Sequence, residues 1–184
     1  MSTPTIERDL SGKRIAILAT DGFEHSELTG PRDGLARAGA KVDVISPKGD
    51  SIKGWSGGDW ADPVTADLAV ANADPGVYHA LVLPGGVINP DKLRTDAASM
   101  DFIKAMATAG KPIGAICHGP WLLVEAGLVK GRRVTSWKSV RRDLENAGGQ
   151  WEDSEVVVDG PIITSRNPDD IPAFTDAIAK AALA

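Results

Sequence analysis

The only cysteine of the chain, Cys117, stands between an apolar run and a helix-opening segment in Ala115-Ile116-Cys117-His118-Gly119-Pro120. A thiol at the end of a buried strand, facing the first turn of a helix, meets unpaired amides and the positive end of the helix dipole, and both favour thiolate over thiol. That is the setting of a cysteine nucleophile. A lone cysteine after an apolar strand also reads as a small buried hydrophobe, and it is the flanking residues that favour chemistry. His118 follows directly, and at a sharp turn its imidazole can lie beside the sulfur as proton acceptor. Leu83-Pro84-Gly85-Gly86 closes another apolar run. Two successive glycines allow close backbone approach and positive φ, so the amides of Gly85-Gly86, with that of His118, can face a developing oxyanion. Glu24, just past the first apolar run, is a candidate partner for the sulfur, because a carboxyl buried there stays protonated and can donate a hydrogen bond. Trp137 is the one tryptophan of five placed to wall such a pocket.

The elements that must position these groups read as an alternating α/β chain. Arg14 to Thr20 is a short apolar run of the kind buried in a parallel sheet. Glu24 to Ala38 carries Leu28 and Leu35 at helical spacing and stops at Gly39, and Lys41 to Ser46 is the next strand. Glycines and prolines punctuate residues 47 to 67, which predicts small strands or a hairpin rather than helix. Strands follow at Tyr78 to Leu83 and Lys111 to Ile116, separated by one helix running to about Ala109. A short helix over Trp121 to Ala126, a strand over Arg133 to Trp137, a helix from Ser139 to Ala147, paired strands at 155–158 and 162–165, and a closing helix from Asp169 complete the pattern. In an open sheet of this class the carboxyl ends of the strands collect the functional groups. The sequence shows no repeat or linker, so residues 13–184 read as one domain behind an extension over 1–12.

Composition narrows the partners. With 20 Lys and Arg against 25 Asp and Glu, net charge −5, there is no basic face to neutralise phosphates, and direct nucleic-acid backbone binding is not expected. One cysteine and three histidines lack zinc-like spacing, so no metal is expected. An unpaired thiol suits a reducing compartment, and neither an export signal nor an apolar span of about 20 residues is present, which places the chain in the cytoplasm and off the membrane.

The motifs Asp21-Gly22-Phe23-Glu24, Leu83-Pro84-Gly85-Gly86, Ala115-Ile116-Cys117-His118-Gly119-Pro120 and Glu155-Val156-Val157-Val158-Asp159, in this order, resemble the PfpI-type intracellular protease family. That family lies within the ThiJ/PfpI superfamily, which includes the parkinsonism-associated deglycase and cofactor-independent glyoxalases. The resemblance implies a flavodoxin-like sandwich, a mostly parallel sheet with helices on both faces, similar to class I glutamine amidotransferases. Those take their catalytic histidine from a later segment, and no histidine follows His118, so glutamine amide transfer is disfavoured. By resemblance Cys117 is the nucleophile on a strained elbow, Glu24 its protonated partner and His118 the base. Gly86 and His118 supply oxyanion amides, Trp137 stands at the pocket mouth, and Asp91 from a neighbouring subunit orients His118. The spacing after Gly86 carries an extra residue relative to the family pattern, and Asp stands where several relatives have Glu. The implied protein is a cofactor-free stress enzyme, a homodimer or hexamer, acting on reactive dicarbonyls and glycation adducts. An intracellular cysteine peptidase, and a redox sensor or chaperone working by Cys117 oxidation, are the alternatives.

Overall fold

The computed structural model describes residues 4–184. The chain opens with β1 (Arg14–Leu18), a two-residue β2 (Phe23–Glu24), α1 (His25–Arg37) and β3 (Lys41–Ser46). The glycine-punctuated excursion is a hairpin of β4 (Ile52–Ser56) and β5 (Asp59–Val64), followed by a short β6 (Leu68–Ala69) and β7 (Ala80–Leu83). After it come α2 (Ile88–Leu93), α3 (Ala97–Thr108), β8 (Ile113–Ile116), α4 (Pro120–Glu125), β9 (Arg133–Val134), α5 (Arg141–Asn146), β10 (Gln150–Trp151), β11 (Val156–Asp159), β12 (Ile162–Ser165) and α6 (Ile171–Leu183).

Seven strands form the central sheet in the order β11-β12-β8-β7-β1-β3-β6. All its pairs are parallel except β11 with β12. This is the α/β alternation read from the sequence and the flavodoxin-like, amidotransferase-like sandwich that the resemblance implies. Burial on both faces explains why the strands are continuous apolar runs. Ile15 and Ile17 of β1 and Val82 of β7 face one core with Leu28, Leu35, Phe174 and Ile178, from α1 and α6. Ala16 and Leu18, with Leu81 and Leu83, face the other, with Phe102, Ile103, Leu122 and Leu144 from α3, α4 and α5. The period of two along each strand sends alternate side chains to the two cores.

Two expectations differ from what is observed. The single helix after Pro84-Gly85-Gly86 is two helices, α2 and α3, because Asp96 caps a new start by accepting from the Ser99 amide at 2.9 Å. The strand expected over Arg133 to Trp137 is only the two-residue β9, whose Arg133 and Val134 pair with Gln150 and Trp151 in a separate parallel pair with β10, and the next three residues turn back toward Cys117. The hairpin forms its own small sheet with β2, and its Trp55 and Trp60 meet edge to face at 5.3 Å on the surface. Leu10 of the extension packs against the domain: it is fully buried, and its amide donates to Ala38 O at 2.7 Å.

Walking outward from β1, the chain first builds toward β3 and then returns to β7 on the other side. The reversal opens a crevice at the carboxyl ends of β1 and β7, where such folds place their chemistry.

Candidate active site

Cys117 ends β8 with φ of +63°, the one positive φ on a non-glycine residue among the described residues. A left-handed residue with a side chain costs about 1–2 kcal/mol, so the surroundings must enforce it. They do so on both sides of the peptide: the Cys117 amide donates to Ser165 O at 3.1 Å, and its carbonyl accepts from the Trp137 amide at 2.9 Å. Gly119, next along, has no room for a Cβ, which would lie 2.5 Å from Leu83 O and 2.8 Å from Ile116 O. The turn therefore packs backbone against backbone and sets the Cys117 side chain against Gly85 at the carboxyl end of β7. Gly119→Ala is expected to displace the turn, seen as a lowered melting temperature together with slower alkylation of Cys117; an unchanged rate at unchanged melting temperature contradicts this packing argument.

His118 lies where its position in the sequence suggests. Its Nδ1 is 3.2 Å from Cys117 Sγ, and its Nε2 is 3.3 Å from Ser139 Oγ. Trp121 packs edge-on against the imidazole at 5.1 Å, and the indole is itself held by Nε1–H donating to Asp143 at 2.8 Å. The backbone amides of Gly86 and His118 favour the thiolate form of the sulfur. Gly86 adopts φ of +74°, and a Cβ there would lie 2.3 Å from Gly22 O. Glycine is the residue this position accepts.

The carboxyl beside the sulfur belongs to Glu27, not to Glu24. Glu24 is the N-cap of α1, half-buried, with Oε1 accepting from Ser26 Oγ at 3.2 Å. One helical turn later Glu27 is fully buried and its Oε2 accepts from the Gly85 amide at 2.8 Å, next to Cys117. The signal was present in the sequence: Glu27 shares its helix face with Leu28, Pro31, Gly34 and Leu35, all buried, so a carboxylate sits on an apolar stripe. Burial raises the Glu27 carboxyl from the usual 4.5 to about 8, with the Gly85 amide opposing and the charge of Glu24 adding.

Burial also pushes the Cys117 thiol up, and the negative charge of an ionised Glu27 pushes it further, against the pull of the Gly86 and His118 amides. Desolvation thus outweighs the thiolate-favouring helix start, which here belongs to a helix of only six residues. His118 is held below the ordinary imidazole range, again by burial, which keeps it neutral and able to accept a proton. The geometry is that of a thiol whose proton passes to Nδ1 as the sulfur attacks.

Asn89 is a group the motif reading passed over. Fully buried, it donates through Nδ2 to Pro84 O at 2.9 Å and Gly85 O at 3.2 Å, while its Oδ1 accepts from the Thr20 amide at 2.8 Å. One side chain so ties the end of β1 to the Gly85-Gly86 loop. Trp137 is half-buried and joined to Cys117 through its backbone, with Lys138 Nζ 5.7 Å from its ring. Asp91 is exposed on α2 and makes no hydrogen bond to His118 of its own chain. Among the described residues no three His, Cys, Asp or Glu side chains gather as a metal would require, and no helix is long and apolar enough to cross a membrane.

The DJ-1/PfpI family model matches residues 13–181. The chain belongs to the DJ-1/PfpI family. It is 44% identical to protein/nucleic acid deglycase 2 of Escherichia coli over 164 residues, 88% of this chain and 93% of that protein. It is 41% identical to deglycase TK1284 of Thermococcus kodakarensis over 167 residues, 91% of this chain and 98% of that one. Among solved structures, Drosophila melanogaster DJ-1beta superposes with a TM-score of 0.85 at 28% identity, covering 94% of this chain and 91% of the other.

Proposed function

We propose that this chain is a cofactor-independent, cysteine-dependent hydrolase of the glyoxalase and deglycase type, acting on reactive dicarbonyls and early glycation adducts. The observation that carries this reading is the 3.2 Å contact between Cys117 Sγ and His118 Nδ1 on a left-handed elbow. The names of the relatives at 44% and 41% identity, both deglycases, agree with it.

In this scheme Cys117 Sγ attacks the aldehyde carbon of methylglyoxal as its proton moves to His118 Nδ1. The resulting alkoxide is held by the amides of Gly86 and His118 and takes the proton back, giving a hemithioacetal. Transfer of the C1 hydrogen, as a proton, to C2 through an enediol yields a lactoyl thioester. Water then releases lactate and restores the thiol, so the sum is methylglyoxal plus water to lactate. The same sulfur attacks the carbinol carbon of a glycated amine, and the amine leaves. Glu27, neutral up to about pH 8, presents no carboxylate charge against the forming alkoxide at neutral pH.

The adjacent Cys117-His118 pair aligns the chain with the PfpI-type members of the superfamily, and the exposed carboxylate of Asp91 is free to meet a second copy of the chain. Homodimers or hexamers follow from that alignment. The test is enzymatic detection of lactate after incubating the protein with methylglyoxal in thiol-free buffer. Lactate above the protein-free control supports the reading, and none at any pH between about 6 and 9 refutes it.

A further inference from the structure

We infer that Ser139 is a positioning residue for His118, fixing its tautomer and supporting the imidazolium that forms when Cys117 attacks. The inference rests on the cysteine-histidine reading above and adds a third member to the pair, supplied by the same chain.

The imidazole is gripped at both nitrogens: Nδ1 faces Cys117 Sγ at 3.2 Å and Nε2 faces Ser139 Oγ at 3.3 Å. For Nδ1 to accept the thiol proton it must carry the lone pair, so the hydrogen of the neutral ring sits on Nε2 and donates to Oγ. A hydroxyl is suited to this because it accepts without a formal charge and rotates to do so. As the S–H bond breaks and the Nδ1–H bond forms, positive charge spreads over the ring and the Nε2–H···Oγ bond becomes charge-assisted and stronger. Ser139 thus acts more in the transition state than in the resting state, the condition for raising a rate. Its place is prepared by the backbone: the 3-10 turn over Lys138–Val140 begins at Trp137, whose amide donates to Cys117 O, so Ser139 is two residues from an anchor on the nucleophile itself. Trp121 closes the ring on another side at 5.1 Å, leaving rotation about the His118 side chain little freedom.

Family resemblance assigns the orienting role to Asp91 of a neighbouring copy. Within the chain Nε2 is already engaged by Ser139, so the two assignments make separable predictions. Alkylation of Cys117 by iodoacetamide, followed by mass spectrometry across pH, reads the pair without any natural substrate, and Cys117→Ala supplies the zero. Ser139→Ala is expected to lower the plateau rate about tenfold, the low end for one hydrogen bond to a group becoming charged. It is also expected to move the acid limb to lower pH, because a ring without the Oγ acceptor holds its second proton less tightly. Ser139→Thr restores both. A plateau and limb identical to those of the unsubstituted protein in Ser139→Ala overturn the inference, as does a limb that moves in Asp91→Asn and stays put in Ser139→Ala. A lactate assay that fails while these alkylation shifts appear removes the proposed activity and leaves the role of Ser139 standing.

Discussion

Cys117→Ala is expected to abolish lactate formation from methylglyoxal, down to the rate of buffer alone, while the melting temperature stays within a few degrees of the unsubstituted protein. The first half follows from chemistry: no other thiol exists in the chain, and an alanine methyl neither attacks a carbonyl nor passes a proton to His118. The second follows from what the sulfur does for the fold, which is little. Cys117 is in the core cluster behind Ile116, but its burial is burdened by a left-handed φ of +63° and by the carboxyl of Glu27 against it. Removing one sulfur atom costs a small packing loss and leaves the backbone strain where it was. Cys117→Gly goes further, relieving about 1–2 kcal/mol of left-handed strain, and is expected to melt at or above the temperature of the alanine variant. Retained lactate formation in Cys117→Ala sinks the nucleophile assignment. A collapse of the fold in both variants sinks the claim that this residue is held for function against the preference of the backbone.

How much of this was legible beforehand varies with the kind of signal. Strands β1, β7 and β8 were readable because burial on both faces leaves a near-continuous apolar run, and β3 because Val42, Val44 and Ile45 stand between Gly39 and Pro47. The position of Cys117 at the end of β8 followed from that pattern, and the adjacency of His118 needed no structure at all. Strands β2, β6, β9 and β10 were not readable as drawn, since two-residue strands exist only through the partner that happens to lie beside them. Sequence distance from β1 points to Glu24, whereas helix phase points to Glu27. The angle between them on α1 is what carries Glu27 inward to Gly85 and leaves Glu24 at the cap. Ser139 and Asn89 were invisible for a different reason. Their partners are 21 residues away at His118 and 69 residues away at Thr20, and no local spacing encodes a contact made by topology.

Glu27→Gln is expected to stabilise the protein increasingly as pH rises from about 5 to about 8, with the two proteins nearly equal at the acid end. The folded carboxyl is raised from the usual 4.5 to about 8, chiefly by desolvation. A raised folded value means that the native state holds the proton more tightly than the unfolded chain. The stability contributed by the neutral carboxyl is therefore complete below the unfolded value, declines as the unfolded state alone ionises, and is spent once pH passes the folded value. Each pH unit in that window costs the native state about 1.4 kcal/mol, so the sum over the window is several kcal/mol before relaxation around the buried group. Glutamine keeps an oxygen for the Gly85 amide at the same reach and has no proton to lose, so its curve lacks this slope. Melting temperatures of the two proteins at intervals across the window measure the difference directly and cancel the titration of every other group. A difference that grows toward pH 8 fits a carboxyl kept neutral beside Cys117; a constant difference means that Glu27 ionises in the ordinary range, and that the negative charge beside the sulfur is permanent. In the first case the site meets a dicarbonyl with its acid unionised and its base neutral. In the second, attack by the thiol must overcome a standing carboxylate, and the amides of Gly86 and His118 have to offset that charge before they can stabilise the alkoxide.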